Sequence, residues 1–82
     1  MSAQFTVYVR HGCHLCEDLL QQLSSLQQEY SFAYTLVDVD ADPKLRDIYS
    51  HLVPVVTLGE KQICHYFLDQ AALKQAVESI NN

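Results

Sequence analysis

With 82 residues, the chain has room for one small domain and one hydrophobic core, close to the size at which burial alone begins to sustain a fold. About half of the residues are hydrophobic (49%) and 18% are charged, a balance that excludes both compositional disorder and the long apolar runs of a membrane span. The net charge of -5, with only five Lys plus Arg, excludes a partner such as nucleic acid, whose phosphate backbone needs clustered cations.

Gln4-Phe5-Thr6-Val7-Tyr8-Val9-Arg10 is rich in β-branched and aromatic residues and closes on His11-Gly12, so it predicts a first strand ended by a glycine turn. Directly after it stands Cys13-His14-Leu15-Cys16. From there Leu15, Leu19, Leu20, Leu23 and Leu26 recur at helical spacing, drawing one apolar stripe on a helix that starts at the cysteines and runs to about Glu29.

Phe32–Val39 predicts a second strand, parallel to the first if the intervening helix is a crossover. Asp42-Pro43 carries the cap and first-turn signature of a short helix to about Ser50, with Leu45, Ile48 and Tyr49 on its apolar side. Val53–Leu58 and Lys61–Tyr66 flank Gly59-Glu60 and predict an antiparallel hairpin. Asp69 caps a last helix with Ala72, Leu73, Ala76, Val77 and Ile80 at helical spacing, before the polar tail Asn81-Asn82. The resulting order is βαβαββα in one α/β unit. The runs Leu36-Val37 and Val55-Val56 suit strands buried on both faces, which predicts a three-layer sandwich.

Three cysteines are too few for a disulfide-stapled secreted scaffold, and Met1-Ser2-Ala3-Gln4 has neither the basic nor the apolar region of a signal peptide. The expected compartment is therefore cytoplasmic, where a Cys-x-x-Cys pair is catalytic, redox-sensing or metal-binding rather than a permanent staple. No second Cys-x-x-Cys completes a zinc site. Cys64 stands in an apolar strand and reads most simply as a small core residue.

The dithiol at a strand-to-helix junction, Val53-Pro54 opening the third strand and the βαβαββα order together resemble the thioredoxin superfamily. The short length, the early first strand and Arg10 three residues before Cys13 resemble its glutaredoxin branch, and the likeness spans residues 1–82 as a single domain. The resemblance implies a thioredoxin/glutaredoxin-like three-layer sandwich with a four-stranded mixed sheet and thiol-disulfide oxidoreductase activity. It implies Cys13 as the nucleophile, Cys16 as the resolving cysteine and Pro54 as the family's cis-proline. Val53 would then offer free backbone groups to a bound thiol substrate, with Arg10 also in the substrate site.

The attacking species is the thiolate, so the charges around Cys13 matter. A helix start favours negative charge by roughly 0.3 to 1 kcal/mol, up to about 2 in a partly buried site, and Arg10 adds to this. Glu17, four residues on, opposes it: a like charge at roughly 6 Å costs about 0.7 kcal/mol in a water-like dielectric. The balance predicts a moderately lowered Cys13 pKa. His14 takes the place of proline in the common C-P-Y-C motif, where a cation would stabilise the thiolate, and Leu15 replaces the tyrosine.

The family's Gly-Gly-x-Asp stretch, where backbone amides approach glutathione, is absent. The chain reads Ile63-Cys64-His65-Tyr66-Phe67-Leu68-Asp69 instead. No bound cofactor is expected, and glutathione stands as a candidate co-substrate, with Arg10 and Lys44 or Arg46 as candidate carboxylate contacts. The expected partners are a disulfide-containing protein or small thiol and a glutathione or thioredoxin-type reductant, acting on a monomer. Two alternatives stand beside this reading. One is a metal or iron-sulfur module using His11, Cys13, His14 and Cys16, for which the spacing is cramped. The other is a redox-silent binding adaptor on the same fold.

Overall fold

The computed structural model describes residues 3–81, so Met1, Ser2 and the Asn82 end of the polar tail lie outside the described residues. The order is β1 (Ala3–Val9), α1 (His14–Leu26), β2 (Phe32–Asp38), a 3-10 turn (Val39–Ala41), α2 (Pro43–Tyr49), β3 (Val55–Leu58), β4 (Lys61–His65) and α3 (Gln70–Asn81). This is the expected βαβαββα chain. Its four strands form one mixed sheet in the order β2-β1-β3-β4, with β1 parallel to β2 and antiparallel to β3, and β3 antiparallel to β4.

Alternation along β1 sends Ala3, Phe5 and Val7 to one face and Tyr8 to the other. On the first face Phe5, Val7 and Val56 pack with Leu19 and Leu23 of α1 and Leu73 and Val77 of α3. On the second, Tyr8 stacks on Tyr49 of α2, ring centroids 4.2 Å apart. The two layers of helices are unequal. The α1/α3 face holds the main core, whereas α2 covers mainly the end of the sheet nearest the dithiol, with Leu45 and Tyr49 packed there.

Several expectations change. Leu36-Val37 does not lie in a strand buried on both faces: β2 is an edge strand, Leu36 is 50% exposed and Val37 half-buried. Only β1 and β3 have neighbours on both sides. Val39 leaves the strand because the Asp38 carboxylate accepts the Asp40 amide at 2.9 Å and starts the 3-10 turn. Ile48 faces solvent. Helix α1 stops at Leu26, and Gln27–Glu29 follow as turns. β3 begins at Val55, so Val53-Pro54 form the step before the strand rather than its opening, and Tyr66 falls just after β4. No helix among the described residues is long and apolar enough to cross a membrane.

Candidate functional site: the Cys13-Cys16 pair

At the end of β1 the chain turns through Gly12, whose φ of 73° is left-handed and open to glycine at no steric cost. Cys13 follows with extended backbone (φ -96°, ψ 109°) as the N-cap of α1. Its sulfur accepts the Cys16 amide at 3.1 Å, in the role a serine or aspartate oxygen takes in other caps. The Cys13 and Cys16 sulfurs lie at disulfide distance, with Cα atoms 5.2 Å apart. The two cysteines are unequal: Cys13 is partly exposed and Cys16 only 3% exposed.

Behind the pair, Cys16, Val39 and Val53 form a small buried cluster with Tyr8, Val9, Cys13, Leu45 and Tyr49 packed against it. Thus Val53, forty residues beyond Cys13 in sequence, sits against the pair. Pro54 is fully buried and the Val53-Pro54 peptide is cis. Free backbone groups at Val53 were expected, but its amide donates to the Tyr49 carbonyl at 3.1 Å, at the end of α2. The Pro54 carbonyl accepts the Tyr66 amide at 2.9 Å.

Arg10 lies at the end of β1, and its Nε donates to Asp40 at 3.1 Å. Arg46 reaches the same carboxylate at 3.5 Å. One carboxylate is shared by two guanidiniums, and the half-exposed setting keeps each pair weak. His14 and Glu17 are both solvent-exposed, with His14 Nδ1 3.7 Å from the Glu17 carboxylate. The two groups expected to tune Cys13 in opposite directions therefore face each other. Such an exposed pair is screened and contributes little to stability.

The backbone conformation of Tyr66 and the exposure of Phe67 have no counterpart in the sequence-based expectations, in which Tyr66 either lines the substrate groove or ends the strand. Tyr66 adopts a left-handed backbone (φ 64°), a conformation that costs a bulky residue roughly 1 to 3 kcal/mol and persists only where neighbours enforce it. Its amide is bonded to Pro54, and its hydroxyl donates to the His51 carbonyl at 2.6 Å. Phe67 beside it is 71% exposed. The signal was Tyr66-Phe67-Leu68, an apolar run continuing past a five-residue strand up to the cap Asp69, of which only Leu68 packs against the core. Together with Leu15 and Leu19 these residues line a groove of about 140 Å³ beside the helix that carries the cysteines.

Elsewhere, Cys64 is a buried free thiol in the main core, and burial pushes its pKa up. A larger cavity of about 490 Å³ lies between β4 and α3, lined by residues such as Ile63, Ala76 and Ile80, and holds none of the expected site residues. Among the described residues, no three His, Cys, Asp or Glu side chains are grouped to hold a metal ion, so His11, Cys13, His14 and Cys16 do not form a preassembled ligand set.

Comparison with known proteins accords with this geometry. Among curated proteins, none matches the chain. The solution structure of protein Ne2328 from Nitrosomonas europaea is 34% identical, with a TM-score of 0.84 over 94% of this chain and 93% of that one. The X-ray structure of XcR50 from X. campestris is 28% identical, with a TM-score of 0.68 over 92% and 96% of the two chains. A malarial protein at 15% identity shares the fold alone, with a TM-score of 0.64 over 96% and 97%. The family model described as "Glutaredoxin-like domain (DUF836)" matches residues 4–78. With a thioredoxin-like fold, a Cys-x-x-Cys pair at disulfide distance and a family match over nearly its whole length, the chain belongs to the glutaredoxin-like domain family of the thioredoxin superfamily.

Proposed function

We propose that this protein is a thiol-disulfide oxidoreductase that exchanges electrons with disulfides through Cys13 and Cys16. The observation that carries the reading is the asymmetry of the pair: a partly exposed sulfur at a helix N-cap, with a buried partner one helical turn behind it. In the reduced protein the Cys13 thiolate attacks one sulfur of a substrate disulfide. A Cys13–substrate disulfide forms, and the other substrate sulfur leaves as a thiolate that takes up a proton. Cys16, having lost its proton, then attacks Cys13, closes the Cys13–Cys16 disulfide and releases the second substrate thiol. Two electrons pass to the substrate, and two from an external dithiol or two monothiols reset the enzyme.

The amides at the start of α1 stabilise the Cys13 thiolate, and the hydrogen bond that the Cys16 amide donates to the Cys13 sulfur is one such contact. Glu17 and His14, facing each other on the exposed side of the helix start, act on the thiolate in opposite directions. The Val53 carbonyl is the backbone group that a substrate backbone meets at the step before β3, and Pro54, buried behind it, backs that step. Arg10, held by Asp40, supplies a cation beside the site. Substrates are disulfides in proteins or small thiols, and the reductant is glutathione or a thioredoxin-type protein. The setting is cytoplasmic, and the protein acts as a monomer.

Reductase activity of single variants tests the assignment. Cys13→Ser is expected to lose activity toward every disulfide, and Cys16→Ser to lose it toward substrates that need a resolving thiol. Wild-type rates for both variants would overturn it.

A further inference from the structure

Resting on that oxidoreductase reading, we propose that the groove walled by Leu15, Leu19, Tyr66 and Phe67 is a substrate docking site. It takes an aliphatic side chain next to the reacting cysteine of a protein disulfide, followed by a lysine or arginine. The groove is linked to the dithiol through Leu15, which stands between the two cysteines in sequence and contributes to its wall. At about 140 Å³ it is well below the roughly 300 Å³ at which small-molecule pockets begin, so it suits one side chain rather than a whole ligand.

Charge selects the neighbouring residue. The groove's lining includes the Asp18 carboxylate and no Lys or Arg, while Glu17 is exposed next to it on α1. The cations near the dithiol, Arg10 and Arg46, are bound to Asp40. An incoming cation is therefore attracted to the α1 side and an incoming carboxylate is repelled there. The wall is held in place: Tyr66 is fixed by bonds to Pro54 and His51, and it holds Phe67 in solvent with most of its ring uncovered. An exposed aromatic on a fixed backbone gains contact area on docking without first becoming ordered.

The test compares symmetric disulfides of acetyl-Cys-Leu-Lys-amide, acetyl-Cys-Ser-Lys-amide and acetyl-Cys-Leu-Glu-amide, together with glutathione disulfide, which brings carboxylates and no apolar side chain. Each rate of reduction is divided by that for 2-hydroxyethyl disulfide. The Leu-Lys peptide is expected to react about tenfold faster than the Ser-Lys peptide, as burial of an aliphatic side chain permits, and fastest of all four. Phe67→Ser should erase the leucine preference, and Asp18→Lys should invert the lysine-over-glutamate preference. In parallel, NMR titration with acetyl-Ser-Leu-Lys-amide, which cannot form a disulfide, should shift the amides of Leu15, Tyr66 and Phe67. Equal normalised rates for all peptides, or shifts confined to other surfaces, would overturn the docking site while leaving the oxidoreductase reading intact. Amide shifts in the groove with no reduction of any disulfide would keep the docking site and sink the oxidoreductase reading.

Discussion

Cys13, Cys16 and Cys64 are three identical side chains in three different environments, and their exposure divides the chemistry among them. Cys13 is partly exposed to solvent, whereas Cys16 and Cys64 are buried, Cys16 behind the pair and Cys64 in the main core. In reduced protein at neutral pH, iodoacetamide is expected to modify Cys13 quickly and Cys64 only after denaturant is added, a difference that mass spectrometry of digested protein reads directly. Burial also raises the Cys64 pKa above its ordinary value near 9.0. The fold therefore favours the neutral thiol, whereas the unfolded chain ionises more easily. This contribution to stability is complete well below pH 9.0 and is lost as the pH rises through the unfolded thiol's pKa toward the folded one. Denaturant titrations of the oxidised protein between pH 7.5 and 9.5 should thus show a fall that Cys64→Ala lacks. Tyr49, also raised by burial and by Tyr8, titrates from an ordinary value of 10.0 and adds its own loss only at still higher pH.

The elements that place these residues were legible where a cap or a period marks them. Asp42 before Pro43 foretold α2, and its carboxylate does accept the Lys44 amide at 2.9 Å. Asp69 foretold α3 in the same way, accepting the Ala72 amide at 3.0 Å. Replacing Asp42 by Ala leaves that amide without its partner and should cost about 1 kcal/mol, lowering Tm by about 4 to 8 °C in a domain of this size. What was not legible is position within the sheet. Leu36-Val37 and Val55-Val56 look alike as sequence, yet β2 is an edge and β3 is central, because strand order is set by crossovers and not by local composition. The Tyr66 turn was missed for a related reason. A left-handed tyrosine contradicts local preference, and only the bonds to Pro54 and His51, distant in the chain, enforce it.

At the scale of the whole molecule, two apolar clusters divide the labour. The larger, built on Phe5, Val7, Leu19, Leu23, Leu73 and Val77, holds the sheet to α1 and α3, and so anchors the helix whose N-terminus carries the dithiol. Leu23→Ala should destabilise the fold by about 2 to 5 kcal/mol, a large share of the roughly 5 to 15 that such domains possess. Chemical denaturation would measure this. The smaller cluster joins Cys16 to Val53, so the step before β3 and the start of α1 meet although forty residues separate Cys13 from Val53. That meeting was legible only through family resemblance. Neither its tether, the Val53 amide on Tyr49, nor the binding of Arg10 to Asp40 has any local signature.

The central claim is that Cys13 attacks and Cys16 resolves, and trapping the intermediate tests it most directly. Reduced Cys16→Ser protein mixed with glutathione disulfide, with Cys64 replaced by Ala, should gain one glutathione on Cys13 and stop there, visible as a single mass increase in the intact protein. The corresponding Cys13→Ser protein should gain none on the same timescale. Equal labelling of both variants, or faster labelling of Cys16, would contradict the account.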